Sequence, residues 1–496
     1  MNKTWRFNLD EAGSARDNLR NMISERKNWS EITGSNDDGP DIQNIIYWDG
    51  CNFKWRKYNK FQLQNLAVVN RIPGFDNIAL KVNTLLALRT AEELNPKLKE
   101  YYPETWMFPM EKEKFVSDTA TDTEDDFYLW KPDKGTGGVG IDMFNKNQHE
   151  KVGYLSESAV VQRYAPDPYL IDGKKVDLRI YCLVSHLDPT EIYFIDGGLV
   201  KCCTADYEEP TQEKDWDPYS HITNINLNQN SPNMDFGEEG TLRKYECLIK
   251  LLKSEGHNTE EVHNDIIQLT VDVILATIPQ LLVWRDTVAV PPNVKCFQVV
   301  GFDIMLTSDL KPLLLEMNSA PVFCSYLEVT TNGKYERVHN IALHEKNCAV
   351  LDCVLQLITE DTVHPALKLV YSSENDQNIF ERPSTSNNLS ILNQIAKIFN
   401  FFKSKDTLTM ATDSWQLFAK LILQGLGIDN VEDFMVDVVM EYRGYYKEEK
   451  HQFVEADYEK SLTFDGFVEA IRRVGKRMKM PLKEICNHAI EQFQQL

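Results

Sequence analysis

The sequence is short of positive charge. Its 496 residues hold 53 Lys and Arg against 75 Asp and Glu, a formal balance of −22. That balance excludes broad, nonspecific binding of nucleic acid, which needs a basic face. The ten cysteines form no C-x-x-C pair, no zinc spacing and no secreted disulfide framework. Reduced thiols and a cytosolic chain are therefore expected. Residues 1–10 lack the apolar core of a signal peptide. No run of about 18 apolar residues occurs, so no membrane span is expected. There is no repeat of fixed period, and no G-K-[ST] that would make a Walker A loop.

What remains is globular in composition, with 42% hydrophobic and 26% charged residues. The length suggests about three folding units. The negative charge lies early: residues 391–496 carry 14 bases and 16 acids, which leaves near −20 on the first 390. Apolar spacing predicts helices over 14–32, 80–94, 241–283 and 344–359, with a short buried strand at 45–48. Strands are expected at 128–130, 141–144, 160–162, 176–184, 191–200, 294–306 and 312–318. Residues 117–126 read as an acidic surface loop. Residues 372–390, rich in Ser and Asn, read as a linker. Helices over 415–426, 431–442 and 462–474 follow it.

Three segments carry chemistry. The first, K-P-D-K-G-T-G-G-V-G-I at 131–141, holds a G-x-G-x-x-G. A dinucleotide fingerprint needs a helix directly after the glycines, and here a strand follows. Strand, glycines, strand is a hairpin whose tip can lie over phosphates, with Lys131 in reach. An ordinary glycine-rich turn has the same pattern.

The second segment is a hairpin around 308–311. If it centres between Asp309 and Leu310, Asp303 and Glu316 face each other, and Asn318 shares their side. Two facing carboxylates repel unless a cation lies between them. Three oxygen donors suit Mg²⁺ shared with phosphates. A solvent-facing pair is the alternative, which the apolar flanks oppose.

The third segment, 175–181, alternates with period two. Lys175, Asp177, Arg179 and Tyr181 share one face, and Val176, Leu178 and Ile180 the other. A half-exposed strand has this pattern. So does a nucleotide floor, with Lys for phosphate, Asp for ribose and Arg for an oxyanion.

Together these segments resemble the tubulin tyrosine ligase-like enzymes, which are ATP-grasp amino-acid ligases. The resemblance runs in order through roughly residues 14–360. It rests on N-I-I-Y-W at 44–48, N-R-I-P-G at 70–74 followed by Lys81, and K-P at 131–132 with its glycines. It continues with V-V-Q-R-Y at 160–164, L-I-D-G-K-K-V-D-L-R-I-Y at 170–181 and G-L-V-K at 198–201. H-I-T-N at 221–224, G-F-D at 301–303 and L-E-M-N at 315–318 complete it.

The resemblance implies an α/β (α+β) ATP-grasp fold. A small N-terminal α/β lobe would span 1–70 and the ligase core 71–370, with a linker over 371–390 and an all-helical module over 391–496. It implies ATP and Mg²⁺ as cofactors. Lys131 and Lys175 would contact phosphates, beneath a loop with Gly137 and Gly138. Gln162, Arg163, Tyr164 and Ala165 would form the hinge beside adenine. Asp177, Thr223 and Asn224 would hold the nucleotide. Asp303, Glu316 and Asn318 would bind Mg²⁺, and Arg179 and Glu316 would be catalytic. Lys201 and Asn226 would face the donor amino acid.

The same resemblance implies tubulin and microtubules as partners, with no nucleic acid and no membrane. The location would be cytoplasmic and cytoskeletal, with the ciliary axoneme and basal body among its microtubule structures. The run D-L-R-I-Y with G-L-V looks like the glutamylase branch, so glutamate is the favoured free amino acid. Two positions depart from the family pattern. Lys201 stands where Arg is usual, and Ile225-Asn226 where Tyr-Ser is common. Both touch the donor pocket, so glycine or tyrosine transfer and a scaffold with a weakly active ligase fold stay open. Residues 391–496 fall outside the resemblance. The stretch 461–467 is faintly EF-hand-like but lacks a calcium loop. Its basic cluster, Arg472, Arg473, Lys476, Arg477, Lys479 and Lys483, is either a solvated face or a dock for an acidic microtubule surface.

Overall fold

The computed structural model describes residues 4–32, 44–50, 67–135, 137–148, 158–165, 167–211, 216–331, 334–374, 377–378, 386–403, 405, 407–422 and 461–495. The helix expected at 431–442 lies outside them.

The first sheet is parallel. It contains β1 (Trp5–Asn8), β2 (Trp29–Ile32), β3 (Ile45–Tyr47) and β4 (Ala67–Val69). The helix expected over 14–32 is shorter, α1 (Arg16–Glu25), because the backbone turns extended at Arg26. Trp29 then enters β2, where its ring packs on Phe7. The short helix α2 (Phe75–Ile78) and then α3 (Lys81–Ala91) follow the sheet.

The second sheet is antiparallel, in the order β5 (Thr105–Phe108), β8 (Ala159–Arg163), β6 (Phe127–Pro132), β7 (Asp142–Asn145). Helix α4 (Lys112–Asp118) covers it. Its core is aromatic: Trp106, Phe108, Phe115, Tyr128, Trp130 and Phe144 meet largely edge to face. Six large rings let so small a sheet bury enough area to hold itself.

The third sheet is the main one. It is built on two long strands, β10 (Lys174–Leu187) and β11 (Thr190–Cys202), with β9 (Leu170–Ile171) and β12 (Leu242–Lys244) on their edges. Then come β13 (Val294–Cys296), β14 (Gln298–Leu306), β15 (Pro312–Asn318) and a separate hairpin of β16 (Tyr326–Thr331) with β17 (Lys334–His339). The main order is β15-β14-β10-β11, continued by β18 (Leu367–Ser372) and β19 (Gln377–Asn378). β13 does not join this sheet. It pairs parallel with β4 and completes the first sheet, whose order is β13-β4-β3-β1-β2. The N-terminal lobe therefore draws on a strand far outside residues 1–70.

One apolar face of the main sheet packs on the helix Thr259–Val288. The 241–283 segment is thus not one helix: β12, the helix Tyr245–Ser254 and a break at Gly256 precede it. Thr259–Val288 is long and apolar enough to cross a membrane by length and composition, but 94% of its apolar window is buried inside the protein. It is a core helix, held between the sheet residues Val176, Leu178 and Ile180 on one side and α3 and the helix Ser386–Phe402 on others.

The linker segment is partly structured. β18 ends at Ser372, β19 pairs with it, and the helix Ser386–Phe402 begins before residue 390. That helix lies along Thr259–Val288. The helices Thr412–Ile422, Phe464–Met478 and Leu482–Gln494 follow, with β20 (Met410–Ala411) pairing β21 (Ser461–Leu462). Phe399, Phe402, Trp415, Phe418 and Phe467 join the same continuous core as the main sheet. The C-terminal helices are therefore packed into the body of the protein.

Candidate active site

The site is laid out by strand register. β14 and β15 are antiparallel, with Asp303 opposite Glu316 and Gly301 opposite Asn318. This is the opposition expected from the hairpin, reached by a different route. Near the turn Leu306 faces Pro312 and Ile304 faces Leu314, one residue short of the expected register. A β-bulge at Leu315 adds the missing residue before Asp303 is reached. β10 lies on the other side of β14, with Arg179 opposite Asp303. Glu316, Asp303 and Arg179 thus stand in one cross-strand row. In the next row Asp177 faces Lys201 of β11. A Cβ at Gly198 would come 2.5 Å from the Arg179 carbonyl, so the two strands meet here only through glycine.

The charged face of β10 is not a half-exposed one. Lys175 is 6% exposed and Asp177 4%. Such charges need partners, and they have them. Arg179 grips Asp303 with a fork, Nε to Oδ1 at 2.7 Å and Nη2 to Oδ2 at 3.1 Å. Lys201 Nζ lies 3.0 Å from the same carboxylate. Burial alone would raise the Asp303 pKa, but Arg179 and then Lys201 outweigh it and hold the carboxyl well below its usual range. Burial likewise opposes charge on Arg179, and Asp303 more than reverses it.

Lys131, in β6, is buried and donates to Gln162 Oε1 at 2.6 Å. Burial, then the charges of Lys175 and Lys81, bring its ammonium down to about 8. Lys175 donates to the His221 carbonyl at 2.9 Å and stands 4.0 Å from Asp177. Thr223 Oγ1 donates to Asp177 Oδ2. Burial and then Lys175 lower His221 to about 4, so its ring is neutral near pH 7.

The glycine loop reaches this cluster from the second sheet. Gly137 and Gly138 have φ of 69° and 79°, backbone that suits glycine. A Cβ on Gly137 would lie 2.9 Å from Asn226 Nδ2, and one on Gly138 3.4 Å from Asn224 Cβ. The loop thus rests on the 222–226 segment. Asn224 is held there by its own cap, Oδ1 accepting from Asn226 N at 2.9 Å.

Not every expected residue points into the cluster. The Arg163 side chain turns outward to Glu104, Asp122 and Asp126, at 3.0, 2.8 and 3.3 Å. Only its backbone is left for a hinge. Tyr164 bonds His221 Nδ1 at 2.9 Å, and half-buried Ala165 follows the strand end. Lys81 was missed as a site residue. It opens α3, and its Nζ lies 3.1 Å from the Gly135 carbonyl and 3.7 Å from Glu316 Oε1. Its cap is remote, Asp133 Oδ1 accepting from Val82 N at 3.0 Å, so local pattern gave no signal. A cleft of about 460 Å³, counting its open mouth, lies between Lys81, Lys131, Gln162 and Glu316, with Leu85, Leu88, Val160 and Met317 as apolar walls.

The residues present fit a magnesium–nucleotide. Asn318 Nδ2 and Asp177 Oδ1 are buried without a hydrogen bond. Among the described residues no group of three or more His, Cys, Asp or Glu gathers as a metal cluster. Two carboxylates and an amide match Mg²⁺, which completes its shell with phosphate oxygens and water. Cys202 and Cys203 are buried beside the site and are not poised as thiolates. Burial pushes Cys202 up to about 11 and Cys203 to about 12.

Paired charges on a sheet under a glycine hairpin make a floor able to receive an anion such as phosphate, and sequence comparison supplies the family. The sequence model of the Tubulin-tyrosine ligase family matches residues 61–351, and the chain belongs to that family. Among curated relatives, it is 33% identical over 326 residues to "Tubulin polyglutamylase TTLL11" of Homo sapiens, covering 63% of this chain and 45% of that protein. Its Mus musculus counterpart is 34% identical, with 63% and 44% covered. "Tubulin polyglutamylase ttll6" of Danio rerio is 30% identical over 296 residues, with 59% and 36% covered. The chain spans less than half the length of these relatives. The matched family region holds every site residue from Lys81 to Asn318 and ends before the C-terminal helices.

Proposed function

We propose that the chain is an ATP- and Mg²⁺-dependent ligase of the ATP-grasp type that adds glutamate to the acidic tails of tubulin. One observation carries this reading: Glu316, Asp303 and Arg179 stand in a single cross-strand row with Asp303 buried at its centre, and Lys81, Lys131, Lys175 and Lys201 lie around it. The names of its relatives support the substrate.

A carboxylate is a poor acyl donor and must be activated before an amine can attack it. When bound, Mg·ATP would supply the phosphoryl group that makes the tail carboxylate an acyl phosphate, with the metal offsetting phosphate charge. Asp303, Glu316 and Asn318 would hold the metal. Lys131 and Lys175 would grip phosphate oxygens, under the loop of Gly137 and Gly138. Asp177, with Thr223 and Asn224, would hold the ribose, and the backbone of 162–165 would edge the adenine. Arg179 is the group placed to stabilise the acyl phosphate. Lys201 and Asn226 would take the carboxylate of the incoming glutamate. Lys201 brings charge without the guanidinium fork.

Incubation with tubulin, ATP and labelled glutamate, glycine or tyrosine tests this, with Glu316→Gln alongside. Glutamate incorporation by the wild type and none by the variant is expected. Labelling by glycine or tyrosine alone moves the donor. No labelling at all makes the chain a scaffold with a retained ligase fold.

A further inference from the structure

One member of the basic cluster of the C-terminal helices, Arg472, is turned inward onto α3, whereas Lys476, Arg477, Lys479 and Lys483 are exposed. Arg472, in Phe464–Met478, is only 14% exposed, and its Nε lies 2.7 Å from Glu93 Oε1. Its Nη2 donates to the Thr90 carbonyl at 3.2 Å, and its Nη1 pairs with Glu469. Arg473 also pairs with Glu469, at 3.0 Å. Asp465, in the first turn of the same helix, is half-buried. It accepts from Gln280 Nε2 at 2.7 Å and from Thr90 Oγ1 at 3.2 Å. Lys483 donates to Asn388, whose Nδ2 donates to the Leu94 carbonyl at 3.2 Å.

Thr90, Glu93 and Leu94 belong to the last turn of α3 and the turn after it. A helix end leaves carbonyls without partners and carries partial negative charge. Arg472 answers both needs from outside the helix. The other end of α3 is the site: Lys81 is its first residue, beside Gly135 and Glu316. The helix spans 11 residues, about 16 Å at 1.5 Å per residue. Over that length it is stiff, so the seating of one end decides where the other stands.

We propose that residues 461–494 are a positioning element of the ligase site, with Arg472 and Asp465 seating α3 so that Lys81 meets Glu316 and the bound phosphates. The proposal rests on the nucleotide-dependent reading given above. It takes Arg472 and Arg473 out of the exposed cationic face, because they pair with Glu93 and Glu469, and leaves Lys476, Arg477, Lys479 and Lys483 on it.

The test is a double-mutant cycle on the full chain, read by the affinity for a fluorescent ATP analogue with Mg²⁺ and by the unfolding temperature. Arg472→Ala is expected to weaken nucleotide binding about 10-fold in the wild type and less than about twofold in a Lys81→Ala background. Arg472→Lys, which keeps a cation at the helix end, recovers most of the loss. Lys476→Ala, exposed on the same helix, leaves affinity unchanged. An equal loss in both backgrounds overturns the proposal, because a merely structural role costs the same with or without Lys81. So does a lowered unfolding temperature with unchanged affinity. If Arg472→Ala does not fold, Glu93→Gln is read against Lys81→Ala in the same way. A wild type that binds Mg·ATP but ligates nothing defeats the functional reading and leaves this one to the cycle. A wild type that binds no nucleotide defeats both.

Discussion

Lys131 is a buried ammonium whose proposed partner is a phosphate, and its stability cost is measurable without any substrate. Its folded pKa is about 8 against an ordinary 10.5. The unfolded chain therefore keeps this proton up to about pH 10.5, and the folded chain releases it near 8. Between those values the unfolded state binds more protons, so stability contributed by this group rises with pH. The full penalty is present below pH 8 and amounts to about 3 kcal/mol; about 2 kcal/mol of it is relieved between pH 7 and 9.5. Lys131→Met removes the charge and keeps the stem. It also leaves Gln162 Oε1 without its 2.6 Å donor, a cost of about 1–3 kcal/mol that does not change with pH. Urea titrations of wild type and variant at several pH values should show the wild type gaining about 2 kcal/mol on the variant from pH 7 to 9.5. A difference that is flat over this range, or that moves the other way, refutes the buried-cation account.

Nucleotide binding should restore the proton: near pH 8.5, calorimetry in buffers of different ionisation enthalpy should detect uptake of up to about three-quarters of a proton, absent in Lys131→Met. Arg179→Lys should lower turnover about 100-fold, because the fork to Asp303 is lost, while the fold survives on the Lys201 pair; turnover within about threefold of wild type would remove Arg179 from the chemistry. Alkylation at pH 7.5 should spare Cys202 and Cys203 by mass spectrometry, since burial holds their thiols near 11 and 12. Inactivation that tracks labelling of either would restore a thiol role.

The gathering of the candidate site residues on one floor was largely legible because strands impose a period of two. Alternation at 175–181 put Lys175, Asp177 and Arg179 on one face, and hairpin counting put Asp303 opposite Glu316. The counting placed the turn one residue off and was rescued by the bulge at Leu315, which no Gly or Pro marks in the sequence. What stayed hidden depends on partners distant in the chain. Lys81 is placed by a helix whose cap is Asp133, some fifty residues on. β13 is three residues long and takes its identity from pairing with β4. Arg472 reads as part of the same solvated face as Lys476, Arg477 and Lys479, because helical periodicity cannot say that Glu93 waits opposite it. Arg163 sits in a motif whose backbone and side chain go separate ways, one to the hinge strand and one to an acidic loop.

The same reasoning bears on the conflict between a net charge of −22 and the proposed acidic substrate. Around the proposed reaction centre, Lys81, Lys131, Lys175, Arg179 and Lys201 stand against Asp177, Asp303 and Glu316, which leaves a local excess of cations behind low-dielectric walls. Buried charges are screened little by salt, whereas the diffuse acidity of the surface is screened beyond about 8 Å at 0.15 M. Salt should therefore remove the long-range repulsion of an anionic peptide more than the short-range attraction that fixes it. The KM for an acidic tail peptide is expected to stay level or fall as salt rises from 25 to about 150 mM. A KM that climbs about fivefold or more would mean that exposed basic residues do the recognising, and the buried row would lose its place as the anion site.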